Sequence, residues 1–175
     1  TRQDLLSKIM PNVMKEVLED YRQSPPSARD SGVLNLFAVA TSVLNVDLAP
    51  QIPLILASIF EPTLQMITIN MLDYPEHRIH FFKFLRVANE HCFEALFGIQ
   101  PEMVKLIIDS IIWAFKHTER NISETGLEIL LELLHNLAKK PEVAQSFYQQ
   151  YLLMLIQEIF SVMTDRLHKS GFRLQ

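Results

Sequence analysis

The sequence predicts an all-α chain built from repeated helix pairs, and three observations carry that prediction. Apolar residues recur at steps of three and four along almost the whole length, and no run alternates for long enough to make a strand. Prolines and short polar turns cut this pattern into seven segments of helical length. Alternate segments begin at intervals of 40 to 48 residues, which marks a repeat of two helices.

The first helix is expected from about Asp4 to Arg22, with Leu6, Met10, Val13, Val17 and Tyr21 on one face and a kink or restart at Pro11. The turn Ser24-Pro25-Pro26-Ser27 ends it. A second helix, about Asp30 to Val46, buries Leu34, Phe37, Thr41 and Leu44. Pro50 and Pro53 open the third, about Gln51 to Met71, in which Pro62 removes one backbone hydrogen bond and predicts a bend near Ser58 to Glu61. Asp73-Tyr74-Pro75-Glu76 starts the fourth, with proline at the favoured first position and an acid in the first turn; it runs to about Cys92. After Phe97-Gly98, Pro101 opens the fifth, which continues to about His117 through Val104, Ile108, Ile111 and Phe115. Asn121-Ile122-Ser123-Glu124 reads as a cap with glutamate three residues on, opening a sixth helix to Lys139. Pro141 begins the seventh, to about Asp165, and Ser170-Gly171 breaks the pattern before a further helix.

The second, fourth and sixth helices start near residues 30, 75 and 121, the third, fifth and seventh near 53, 101 and 141. A helix-pair period of about 40–47 residues is that of HEAT and armadillo repeats, whereas tetratricopeptide repeats are 34 long. The expected architecture is a HEAT-repeat right-handed α-solenoid fragment. It has a leading inner helix (1–23), three pairs (28–72, 73–118 and 119–166) and the start of another repeat (167–175). The first helix of each pair is read as outer and the second as inner.

Composition narrows the function classes. At 175 residues, 49% of them hydrophobic and only four glycine, the chain is long enough to bury roughly 70% of its unfolded surface without disulfides or metal. A net charge of −4 argues against direct nucleic-acid binding, which needs a basic stripe for phosphates. The single Cys92 suits a reducing compartment. No run of 18 apolar residues occurs, since the richest, Ile52 to Leu72, carries Glu61, Gln65 and Asn70, so membrane insertion is not expected. The opening Thr1-Arg2-Gln3-Asp4 is unlike a signal peptide, and a start inside a helical pattern suggests a piece of a longer protein.

Several phrases go beyond repeat physics. Tyr74-Pro75-Glu76-His77-Arg78, the run Asp109 to Thr118, Thr125-Gly126-Leu127, Gln145-Ser146-Phe147-Tyr148 and the run Phe160 to Asp165 resemble, in the same order, the C-terminal half of the exportin-1 family of nuclear export receptors, within the importin-β (karyopherin) superfamily. The resemblance covers nearly the whole chain, is strongest from Tyr74 to Asp165, and breaks at Pro62. It implies a receptor that wraps the Ran GTPase in its GTP form, carries cargo with leucine-rich export signals, meets nucleoporins, and shuttles between nucleus and cytoplasm. The family's cargo-signal groove and its inhibitor-reactive cysteine lie N-terminal to this region, so Cys92 is expected to be an inert packed thiol.

The same resemblance places Ran on the concave inner face, where the inner helices carry polar stripes. These are Ser58, Glu61, Gln65 and Thr68; then Glu102, Lys105, Asp109 and Lys116; then Gln149, Gln157, Ser161 and Asp165. Glu61, Gln65, Lys105, Asp109, Lys116, Gln157 and Asp165 are the candidate partner-facing residues. The plainer alternative is a solvated face, with Lys105 and Asp109 an ordinary i,i+4 pair and Lys116, His117 and Arg120 complementing a helix dipole. Trp113 is expected in the core or against the next repeat.

Other readings are weaker. His77 and His80 stand three apart, but no further ligands follow at metal spacing, and no cofactor or metal is expected. The sequence shows neither a phosphate-binding glycine loop nor a nucleophile elbow, so no enzyme is expected. Asn121-Ile122-Ser123 matches a glycosylation acceptor that the expected compartment leaves unmodified. The competing function is a non-transport HEAT adaptor or scaffold, which the phrases around Tyr74 and Trp113 argue against.

Overall fold

The computed structural model describes residues 2–70 and 72–164, and among these every regular element is helical. The chain divides into two units, Thr1–Gln100 and Pro101–Gln175.

In the first unit a short helix α1 (Arg2–Asp4) passes through a π-helical turn, Leu5–Ile9, into α2 (Met10–Gln23). The disturbance expected at Pro11 takes this form: the Met10 N–H donates to Leu5 O, one residue further back than in an α-helix. A wider turn makes room for a ring that would otherwise crowd the preceding carbonyls. The buried face of α2 is Met10, Met14, Leu18 and Tyr21, whereas the expected Leu6, Val13 and Val17 are only half-buried. Met10 and Tyr21 stand as expected, and between them the buried positions are Met14 and Leu18, each one residue later than Val13 and Val17.

Helix α3 (Ser31–Leu44) begins where the Asp30 carboxylate accepts the Gly32 N–H at 2.8 Å, and it buries Leu34, Phe37, Thr41 and Leu44 as expected. A 3-10 turn, Asn45–Gln51, leads to α4 (Ile52–Ile67), which continues as helix through Pro62. That helix stops short of the expected end because Thr68 caps it, its N–H and hydroxyl both bonding Leu64 O. By length and apolarity the stretch Ser31–Ile67 resembles a membrane span. Here it forms two helices and a turn, whose Phe37, Ile55 and Ile59 are fully buried.

Helix α5 (Pro75–His91) follows Tyr74, which holds a left-handed backbone at φ 55° that is costly for a non-glycine residue. A five-residue helix α6 (Phe93–Phe97), too short to show a period in the sequence, completes the unit.

Side-chain bonds in this unit tie residues about one repeat apart. The Tyr21 hydroxyl meets Thr63 Oγ1 at 2.8 Å, 42 residues on. His77 Nε2 donates to Arg29 O (2.9 Å), His80 Nδ1 to Ser31 O (3.1 Å), Lys83 Nζ to Asn35 Oδ1 (2.8 Å) and Cys92 Sγ to Asn45 O (3.3 Å), at separations of 47 to 49 residues. A nearly constant separation along α3 and α5 requires the two helices to run side by side in the same direction. Helices α2 and α4 pair likewise, which is the stacking of HEAT repeats. The core between them is aromatic: Phe37, Phe60, Phe81, Phe82 and Phe84 are fully buried, with Phe60 and Phe81 rings 4.8 Å apart.

The second unit contains α7 (Pro101–Phe115), α8 (Arg120–Ala138) and α9 (Pro141–Thr164). The sequence places the cap of α8 at Asn121, but the helix starts two residues earlier, at Arg120 with Glu119 as N-cap. Buried His117 explains the shift, because its Nδ1 accepts the Glu119 N–H at 3.0 Å. Glu124, expected to complete a capping box, instead receives Arg120 Nε at 2.8 Å. Ile108, Ile111 and Phe115 of α7 and Ile122, Leu127 and Leu130 of α8 are buried. The two helices cross closely at Gly126, where a Cβ would stand 2.6 Å from Phe115 N and 2.8 Å from Ala114 Cβ. Trp113 is half-buried, its ring 4.9 Å from that of His117. The break expected at Ser170-Gly171 lies outside the described residues.

Candidate functional site

The candidate residues are surface positions presented by helices whose opposite faces are core. On α4, Ile55, Ile59, Thr63 and Met66 are buried, which turns Glu61 and Gln65 outward. These two are exposed and joined by Gln65 Nε2 donating to Glu61 Oε1 at 3.3 Å. The stripe continues through half-buried Ser58 and exposed Thr68. Leu54 extends it at the N-terminal end, 57% exposed beside a groove of about 390 Å³ whose walls are Met10, Pro11, Met14, Lys15 and Gln51.

In the second unit, Lys105 and half-buried Asp109 form an ion pair at 2.6 Å, and this bond holds the lysine above its usual pKa. Tyr151 of α9 lies in their field. Its phenol is pushed up first by burial and then by the Asp109 carboxylate, with Lys105 opposing. Lys116, just past the end of α7, donates to Glu158 Oε2 of α9 at 2.6 Å, with both side chains partly covered. Gln157 beside it is exposed, and Asp165 lies outside the described residues.

The arrangement thus makes Glu61–Gln65 one local polar pair and Lys105, Asp109 and Lys116 a charged row along one edge of α7. Glu158 and Tyr151, absent from the sequence reading, complete that row from α9. The signal for Glu158 was available: it stands 42 residues after Lys116, the same separation that joins Tyr21 to Thr63.

Such a surface offers ion-pairing and hydrogen-bonding groups without a nucleophile poised beside a base. Cys92 is buried, its thiol pushed up by desolvation, and it donates to a backbone carbonyl. His77 and His80, which invite a metal reading, are occupied in bonding the backbone carbonyls of Arg29 and Ser31 at the start of α3. Among the described residues no group of three or more histidine, cysteine or acidic side chains is placed to hold a metal ion.

Residues 1–175 match the family described as CRM1 C terminal. Exportin 1B of Arabidopsis thaliana is 48% identical over 167 residues, covering 95% of this chain and 15% of its own length. Exportin-1 of Dictyostelium discoideum is 45% identical over 174 residues (99% and 16%), and exportin-1 of Schizosaccharomyces pombe 48% over 168 (95% and 16%). The chain therefore spans about one sixth of the length of the curated relatives it matches. With a family match along the full chain and relatives this similar, the chain belongs to the CRM1 C-terminal family, the family of the exportin-1 nuclear export receptors.

Proposed function

We propose that this chain is a scaffold segment of a nuclear export receptor, one that binds Ran in its GTP form and carries leucine-rich-signal cargo from nucleus to cytoplasm. The observation that carries the reading is the match to exportins along nearly the whole chain. The segment supplies part of the Ran-facing surface through Glu61, Gln65, Lys105, Asp109, Lys116, Gln157 and Asp165, while cargo signals bind elsewhere in the receptor. The receptor meets nucleoporins as it shuttles, and it works by binding rather than by catalysis. Acidic groups on such a surface steer a basic partner and set its register more than they supply raw affinity. The repeat stacking of the first unit adds a mechanical role. Repeats that touch only neighbours turn small rotations into a change of curvature, by which Ran and cargo binding are coupled reciprocally.

The test uses a full-length receptor carrying this segment. Affinity for GTP- and GDP-loaded Ran is compared before and after Glu61→Lys, Asp109→Lys and Asp165→Lys, singly and together. A weaker GTP-dependent affinity is expected. Unchanged affinity in the triple variant refutes the surface assignment, and failure of the receptor to export a leucine-rich-signal reporter refutes the transport reading itself.

A further inference from the structure

Ser24-Pro25-Pro26-Ser27 is more than punctuation. Ser24 is the C-cap of α2, with an extended backbone at φ −65°, ψ 143°, and Pro25 continues it at φ −64°, ψ 156°. This is the polyproline conformation that a serine–proline pair needs in order to lie in an extended peptide cleft. Ser24 is half-buried, and Arg22, Gln23, Pro25, Pro26 and Ser27 around it are exposed. One backbone bond holds it, from its N–H to Asp20 O at 2.9 Å. Opening the end of α2 beyond Tyr21, where Arg22 and Gln23 are exposed, frees the site and leaves buried Tyr21 in place.

The turn returns the chain to Arg29, a clamp between elements. Its Nε donates to Tyr21 O in the last turn of α2 (3.0 Å) and its Nη1 to Pro62 O on α4 (3.2 Å), while its own carbonyl accepts from His77 on α5. The guanidinium also lies 5.8 Å from the centre of the Tyr21 ring. Ser24 thus ends the turn of α2 on which the clamp rests.

We propose that Ser24 is a phosphorylation site for a proline-directed serine/threonine kinase, and that the phosphate loosens the Arg29 clamp between α2 and α4. In the transfer, Ser24 Oγ attacks the γ-phosphorus of the kinase's ATP. The Oγ–P bond forms, the bond to the ADP oxygen breaks, and the hydroxyl proton passes to the kinase's base. The product carries nearly two negative charges at the negative end of a helix, next to Glu19 and Asp20, which opposes the last turn of α2. Of the two guanidiniums near Ser24, Arg22 pairs with Glu19 at 3.0 Å; the phosphate is assigned to Arg29, and meeting it draws that side chain off the Tyr21 and Pro62 carbonyls.

The chain, its Ser24→Ala and Ser27→Ala variants, and a peptide of residues 21–29 are incubated with ATP and a proline-directed kinase, and the phosphate is located by fragment mass spectrometry. Incorporation is expected in the chain, in Ser27→Ala and in the peptide, and not in Ser24→Ala. An unmodified peptide refutes the motif, and a modified peptide beside an unmodified chain refutes access in the fold. Hydrogen exchange then compares the phosphorylated and unmodified chains. Amides in the last turn of α2 should lose protection by about two- to fivefold, an effect that shrinks as pH falls through about 6 and the phosphate loses charge. In an Arg29→Gln background phosphorylation should change protection around Pro62 little. Unchanged protection on phosphorylation, or an equal loss around Pro62 with and without Arg29, overturns the clamp mechanism.

Discussion

Gly126→Ala sets two well-understood effects against each other inside one helix. Alanine is the better helix former by about 0.8–1.0 kcal/mol, so α8 taken alone should be stabilised. The new methyl, however, would lie 2.6 Å from Phe115 N, 2.8 Å from Ala114 Cβ and 3.0 Å from Ala114 C. Two of those three atoms are backbone, and Ala114 and Phe115 are buried, so α7 can make room only by moving as a body. Overpacking of this kind typically costs about 1–3 kcal/mol, and contact with main chain places it at or above the upper end. The net expectation is destabilisation by about 2 kcal/mol, read as a fall in melting temperature of about 4–8 °C for a chain of this size. Gly98→Ala is the control, since its Cβ would come no closer than 3.7 Å to any neighbour, and it should change stability by less than about 0.5 kcal/mol. Melting by circular dichroism with both variants decides the matter. A Gly126→Ala protein as stable as the parent, or more stable, would refute the close crossing of α7 and α8.

Phe115→Ala removes a ring that is 1% exposed and should cost about 3–5 kcal/mol in a denaturant titration. Thr63 donates to Ile59 O, which leaves the Tyr21 O–H as donor to Thr63 Oγ1. Thr63→Val therefore strands a buried hydroxyl and should cost about 1–3 kcal/mol, against about 0.5–1.5 kcal/mol for Tyr21→Phe; equal costs would contradict that direction of donation. At alkaline pH, burial raises Cys92 from its ordinary 9.0 and Tyr21 from 10.0, so each favours the folded state only while neutral. Their contribution is complete below the unfolded pKa and is lost as pH rises through the folded one. Stability should begin to fall above about pH 9, and Cys92→Ala should move the onset towards pH 10, measured as melting temperature against pH.

Helix existence was legible because α4, α5, α7 and α9 advertise themselves by period and by proline at or near their starts. Burial at Leu34, Phe37, Thr41 and Leu44 followed from a three- and four-residue count along an undisturbed helix. The same count slipped in the middle of α2, where the buried residues are Met14 and Leu18 rather than Val13 and Val17, although Met10 and Tyr21 were placed correctly. The left-handed backbone of Tyr74 was equally silent, because it is imposed by the surroundings on a residue that disfavours it. His77 and His80 were weighed for metal because spacing along one helix is visible, while a carbonyl 48 or 49 residues earlier is not. The polar stripes could be read as exposed by the rule that identifies the core. Their partners on another helix, Glu158 above all, required the repeat length to be applied to individual side chains.

Three of the bonds between α3 and α5 have a lopsided chemistry: His77, His80 and Cys92 each grip a main-chain oxygen, whereas Lys83–Asn35 and Ser31–Glu76 join two side chains. A main-chain oxygen is present whatever amino acid occupies the position, so these bonds impose no demand on the side chain of the accepting residue. Drift at an accepting position leaves its bond in place, whereas loss of the donor removes it outright. At these three bonds saturation mutagenesis should find its sensitivity at the donors His77, His80 and Cys92, whereas the side-chain pairs Lys83–Asn35 and Ser31–Glu76 should be sensitive on both helices.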